Sequence, residues 1–403
     1  MTATARDVLA LGGFRLFLAA RLLSSLAQQI ATVAVGWLVY DLTGDPLQLG
    51  LVGLVQFVPA LALTLPGGHL ADHADRRRIL LAATLLTMLA MGGLLALTAS
   101  GRPSLHGIFA VMAVLGAVRA FWAPAGQSMT ARLVPRHLLS RAVALNSTVW
   151  QVSVIAGPAL GGLLYALGPA VVFATSGLLL AGAASAAFLL APMPPGERTE
   201  RAHILDGIRF VKSRPEILGS ISLDLFAVLL GGATALLPIY ARDILMTGPL
   251  GLGLLRSAPA VGAALSAFLL AHRPPERHAG HKLFIAVAVF GLGTVVFGLS
   301  TSFPLSLAAL AVLGAADMVS VVLRQTLVQI STPDDMRGRV SAVNMVFITA
   351  SNELGEFESG VAAALLGTVP AVVAGGLGCL IVAGVWAWRF PALRNFELPR
   401  SSP

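Results

Sequence analysis

Four carboxylates, Asp224, Asp317, Glu353 and Glu356, stand inside apolar runs long enough to cross a bilayer. An ionised group at the centre of a membrane costs on the order of several kcal/mol, so each needs a partner, a watery cavity or a proton. A carboxyl group held there can take up and release a proton as its exposure changes, which is the chemistry of a proton-driven pump. On a helix, Asp224 falls ~12 Å past Glu216 and Glu353 ~18 Å past Ser341, near the midplane. Glu356 lies about 60° around the axis from Glu353, with Asn352 beside the pair, while Glu358 points elsewhere. A polar network joining neighbouring helices is the plainer use of these glutamates, and both readings stand. Gln28 and Gln56 can hydrogen-bond a cargo or tie helices together. Phe226, like Trp122 and Trp150, can stack on a cargo or simply pack. The eight histidines show no metal spacing and Cys379 is the lone cysteine, so neither a metal, a cofactor nor an intrachain disulfide is expected.

The elements that must carry these residues are membrane helices. The chain is 56% hydrophobic and 11% charged, against about 25% charged in soluble domains. Twelve apolar spans are read near 15–40, 46–70, 77–99, 105–124, 140–166, 169–191, 216–241, 249–271, 282–301, 304–330, 340–367 and 369–390. Gln127, Pro135, Arg141 and Asn146 recur without a gap as Gln325, Pro333, Arg339 and Asn344. At the same offset Gly157 and Gly162 fall on Gly355 and Gly360, and Arg119 falls on Asp317. A duplicated half holding several spans is the sequence form of a parallel-repeat transporter, with a substrate site at the repeat interface. The expected fold is all-α, with two pseudo-symmetric six-helix halves at 1–191 and 216–403 joined by a cytoplasmic connector at 192–215.

Placement of the charges sets the orientation. Of 27 basic residues, only Arg102 and Arg242 fall in loops read as outside, and Arg21, Arg119, Arg256 and Arg324 lie in or at the ends of spans. The rest collect on one side, which the positive-inside rule assigns to the cytoplasm together with both termini. A net charge of +8 therefore reflects topology and not nucleic-acid binding. No cleavable leader pattern precedes the first span. In the connector, Ile204, Ile208 and Val211 share one helical face, the pattern of a short interfacial helix.

Three segments point further. Gly68-His69-Leu70-Ala71-Asp72-His73-Ala74-Asp75-Arg76-Arg77-Arg78 lies between the second and third spans. It resembles the loop signature of the major facilitator superfamily, with His73 in place of the usual basic residue and Asp75 in place of the second glycine. The resemblance implies a gate in which Asp72 meets the start of the eleventh span near Arg339, backed by Arg76 and Arg77; enforcing topology is the arginines' other reading. Gly157-Pro158-Ala159-Leu160-Gly161-Gly162 in the fifth span is similar to the superfamily's antiporter motif and implies a hinge packed on the eighth span. Thr332 to Asn344, followed by Ser351 to Gly360, resembles the bacterial subgroup of enterobactin exporters and drug-efflux proteins.

That resemblance implies a central cavity lined by the first, fourth, seventh and tenth spans. Arg119 and Asp317 would then face each other across it as an ion pair or clamp. The alternative pairs Asp317 locally with Arg324. The function implied is secondary active export of a small amphiphile, a siderophore or drug, across the bacterial cytoplasmic membrane. It would proceed by proton antiport and alternating access, in a monomer whose partners are cargo, protons and lipid. No phosphate-binding loop supports an ATP-driven pump, and no nucleophile, base or metal constellation supports an enzyme. An importer of the same fold is the rival reading, and a non-transporting membrane sensor a remoter one.

Overall fold

A computed structural model describes residues 5–101, 103–193, 204–272 and 278–397. Arg102, residues 194–203 of the connector, and Arg273 and Arg277 lie outside the described residues, as do the side chains of Asp72 and Gln127. The described chain is helical, without strands. In order it forms α1 (Ala5–Leu9), α2 (Gly12–Thr43), α3 (Pro46–His73), α4 (Arg76–Ala99), α5 (Leu105–Leu133), α6 (Leu139–Tyr165) and α7 (Pro169–Phe188). There follow α8 (Ile204–Ser213), α9 (Pro215–Leu230), α10 (Leu237–Ile239), α11 (Gly248–His272), α12 (Ala279–Leu299), α13 (Phe303–Ile330), α14 (Asp334–Leu366), α15 (Thr368–Arg389) and α16 (Pro391–Arg394).

Eleven helical segments among the described residues are long and apolar enough to cross a membrane. The 33-residue α14 is not among them, although its length suffices. Its interior carries Glu353, Glu356 and Glu358, which pull its hydropathy down.

The chain forms two compact units: 1–44, 54–199 and 248–257, and 45–53, 200–247 and 258–403. In the first, Phe14, Phe17 and Leu18 of α2 pack with Leu80, Met129 and Leu190 around one apolar core. In the second, Ile217, Leu223, Leu283, Leu323 and Leu327 form the corresponding core. The connector helix α8 belongs to that second core: Val211 packs with Val340 and Val343 of α14. A Cβ at Gly207 would stand 2.8 Å from the Arg339 carbonyl oxygen, so glycine is what lets α8 lie against α14. The apolar face expected at the membrane interface is in part taken up by protein.

The seventh span is interrupted where a continuous helix was expected. α9 stops at Leu230, and the chain continues through a 3-10 turn, Ala233–Leu236, the short α10 and a π-turn, Tyr240–Ile244. Gly231 and Gly232 lower helix stability, and Pro238 lacks an N–H for the ladder. Tyr240, fully buried, ties the irregular stretch to α12 by donating its hydroxyl to the Gly298 carbonyl at 2.8 Å.

Candidate functional site

Asp224 sits on the buried face of α9 with Ser220, Leu223 and Ala227, at helical spacing. On α13, Asp317, Ser320 and Arg324 fall three and four residues apart, which also places them on one face. Arg324 and Asp224 form a salt bridge through Nη1 and Oδ2 with both side chains buried. The Arg324 Nε donates to Ser320 Oγ at 3.1 Å. Asp317 lines the same cavity as Asp224, together with Ala227, Val228, Val287, Phe290 and Ser320. It feels the charges of both Arg324 and Asp224. Among the described residues none hydrogen-bonds to its carboxylate.

The cavity measures about 10 Å³, room for roughly one water molecule and not for a drug. The cluster holds two carboxylates and one guanidinium, so with all three ionised it carries one uncompensated negative charge. Moving an ion of that size into a low-dielectric interior costs several kcal/mol even after relaxation. A single proton on either aspartate removes the excess, and a guanidinium can bond whichever carboxylate stays ionised. The arrangement can store and release a proton.

The other two coupling candidates lie elsewhere. Glu353 and Glu356 stand on α14 beside the start of α3, where a Cβ on Gly53 would meet Glu356 Oε2 at 3.0 Å. Both glutamates have partners. Phe226, on α9, packs against Trp386 at 5.1 Å between ring centroids with the rings tilted by 55°, and Trp386 donates its indole N–H to Ser222 Oγ at 2.9 Å. In the first unit, Gln28 is exposed on α2, and Arg119 is exposed on α5 yet engaged by a partner. Gln56 sits where the backbone of α3 crosses α5 at Gly116.

Around the loop after α3, Asp75 caps α4 by accepting from the Arg77 N–H at 2.9 Å, and it also accepts from the Met193 N–H at 3.0 Å. Arg77 lies 5.3 Å over the Phe188 ring and donates to that residue's carbonyl. Arg76 is engaged as well, and Gly68 faces open space. In the second unit the Arg339 guanidinium approaches the Met336 sulfur at 3.2 Å. The glycines of the fifth span serve two neighbours: Gly157 and Gly161 let α6 approach α2 at Gln29 and Ile30, and Gly162 lets it meet α11, with a Cβ there 3.1 Å from the Gly253 Cα. Pro158 lies inside α6 at the same crossing.

Sequence reasoning named Asp224 and Asp317 separately and offered Arg324 as one of two partners for Asp317. It did not bring Asp224 and Arg324 together, and it passed over Ser320 and Phe290. The spacing of Asp317, Ser320 and Arg324 was the available signal, since three polar residues on one face of an apolar helix have to share an environment.

Known proteins bear on this arrangement. The family profile described as transmembrane secretion effector matches residues 4–402. The multidrug efflux pump Tap of Mycolicibacterium fortuitum is 28% identical over 96% of this chain and 98% of its own. The enterobactin exporter EntS of Citrobacter koseri is also 28% identical, over 97% and 94%. Among solved structures, a bacterial homolog of the human lysosomal transporter Spinster, inward-facing and unoccupied, superposes with a TM-score of 0.76 at 15% identity. That match covers 96% of this chain and 98% of the other.

Proposed function

Since the chain belongs to the family of transmembrane secretion effectors, we propose that it exports a small amphiphilic molecule, a siderophore or a drug, in exchange for protons. Membership makes it a multi-pass transporter of the efflux kind, within the major facilitator superfamily. The finer reading is a monomer in the bacterial cytoplasmic membrane, with both termini inside. It has twelve spans, α14 being the eleventh, and alternating access comes from two six-helix halves at 1–191 and 216–403. Gly157, Pro158, Gly161 and Gly162 act as its hinge, and Asp72, with Arg76, Arg77 and Arg339, as its inner gate.

The observation that carries proton coupling is the buried Arg324–Asp224 pair beside Asp317, the two aspartates lining one cavity too small for cargo. In one state Arg324 neutralises Asp224 and a proton neutralises Asp317. Wetting of the cavity would let that proton leave, and drying would demand it back, so proton occupancy follows the conformational state. Glu353 and Glu356 remain alternative carriers, while Gln28, Gln56, Arg119 and Phe226 remain candidates for the cargo path.

The test is export from intact cells over a panel of siderophores and drugs, with and without an uncoupler, followed by transport in proteoliposomes under an imposed pH gradient. Uphill export that collapses with the gradient is expected. Export indifferent to the uncoupler would remove proton antiport, and inward accumulation in vesicles of native orientation would make the protein an importer.

A further inference from the structure

The first unit contains an arginine within a span, Arg21, that no carboxylate pairs with among the described residues. No Asp or Glu occurs from residue 8 to 40, from 46 to 71, or from 76 to 196. The carboxylates nearest the start and the end of α2 are Asp7 and Asp41. Arg21 lies on α2 ~30 Å from Asp41 and ~21 Å from Asp7, if the path is taken as helical. Its guanidinium rests 5.1 Å over the ring of Trp122 on α5. Its Nε is buried and has no hydrogen-bond partner among the described residues, and no ion pair reaches it there. One turn further, the buried Ser25 hydroxyl is unpartnered too.

Arg21, Ser25, Gln28 and Thr32 follow one another at four, three and four residues, a polar stripe along a mostly buried helix. Gln28 and Thr32 on that stripe are exposed. Polar side chains at membrane depth face a water-filled space and not lipid tails. The opposing α5 adds Arg119, one turn before Trp122 on the same face, and the backbone of Gly126, close to Arg21 Nη1. A buried cation left unpaired is costly, and an aromatic ring covers only one face of the guanidinium plane, leaving its edge of donors for an acceptor.

We infer that Arg21 and Trp122 form a subsite for the anionic, aromatic end of the cargo, so that exported molecules carry a carboxylate, sulfonate, phosphate or catecholate group. The inference rests on the export reading and gives it a substrate class. The terminal nitrogens of the guanidinium take the anion, and the open part of the half-buried indole stacks on the ring of the cargo. A phospholipid headgroup offers the same anion without the ring, and the test separates the two.

The full chain, purified in detergent, is titrated with 1-naphthalenesulfonate, its neutral counterpart 1-naphthalenemethanol, and tetraphenylphosphonium. The parent should bind the sulfonate at least tenfold more tightly than the alcohol. Arg21→Gln should abolish that preference and Arg21→Lys retain most of it, with tetraphenylphosphonium affinity changed less than twofold and the unfolding temperature followed in parallel. Trp122→Leu should weaken sulfonate and alcohol together. The subsite is overturned if the parent shows no preference for the sulfonate, or if Arg21→Gln keeps it. It is also overturned if phosphatidylglycerol binds in an Arg21-dependent way and the sulfonate does not. These titrations use no gradient, so their failure leaves uphill export in liposomes standing as a separate result, and failed export leaves the binding data intact.

Discussion

Two arginines inside spans, Arg21 in the first compact unit and Arg324 in the second, meet opposite surroundings. Arg324 is held by Asp224 and Ser320, with Asp317 lining the same cavity as both. Arg21 has the ring of Trp122 and an orphan Nε. At the position that the sequence repeat matches between spans four and ten, one segment carries Arg119 and the other Asp317. Duplication copies a scaffold, and later substitution can give each copy its own charge. Among the described residues, Asp224 and Asp317 lie in the second unit and Arg21, which no ion pair reaches, in the first. That division suits a machine in which one half carries the proton and the other takes hold of an anion.

Breaking the acidic side should have the largest effect. Asp317→Asn and Asp224→Asn should each lower uphill export at least tenfold in proteoliposomes under a pH gradient, while downhill exchange persists. Asparagine fixes the neutral form that the proton would otherwise produce. If both variants pump uphill at the parental rate, the proton runs through Glu353 or Glu356, and the contrast between the units loses its meaning. Next in size is Arg324→Gln. It strands Asp224 as a buried, unpaired charge, which costs about 3–5 kcal/mol. A marked drop in the unfolding temperature in detergent is expected, and the double variant Asp224→Asn with Arg324→Gln should recover most of it. A double variant no more stable than Arg324→Gln alone would show that the pair is not coupled.

How much of this the sequence disclosed depended on whether the signal was local. The apolar spans came from hydropathy, because burial in lipid forces long uninterrupted apolar runs. The charged residues inside those runs stood out for the same reason. What each of them faces is set by helix rotation and packing, which no one-dimensional pattern records. Asp224 and Arg324 are 100 positions apart in the sequence, and only the approach of α9 to α13 joins them. Likewise Arg21 and Trp122 were each visible, but nothing in the spacing announced the cation over the ring. The break in the seventh span was written in Gly231, Gly232 and Pro238, and was masked by an apolar run that looks continuous.

A third prediction sharpens the comparison on the first unit. Gly162 on α6 and Gly253 on α11 meet backbone to backbone, and a Cβ at Gly253 would lie 3.2 Å from the Gly162 Cα. Gly162→Val overpacks that crossing, at a cost of about 1–3 kcal/mol. Export should fall more than cargo affinity, because helices that slide past one another during the cycle are the ones that suffer. Equal losses of binding and export would assign the glycines to static packing.

The smallest expected effect concerns the loop after α3, where Asp75 stands in place of the superfamily's second glycine. Its carboxylate accepts from the N–H groups of Arg77 and Met193. It therefore caps α4 and anchors the end of the sixth span, and both bonds lie within the first unit. Replacing an N-cap aspartate by alanine costs about 1 kcal/mol, so Asp75→Ala should lower the unfolding temperature slightly. Asp75→Asn, which keeps an acceptor oxygen, should lose less. Asp72→Asn is the counterpart that separates fold from gate: stability should stay near the parent's while export falls, because the substitution removes a charge proposed to hold the inner gate. If Asp75→Ala and Asp72→Asn depress export equally, with no difference in stability between them, the loop acts as one electrostatic patch. The division of labour between its two aspartates would then be wrong.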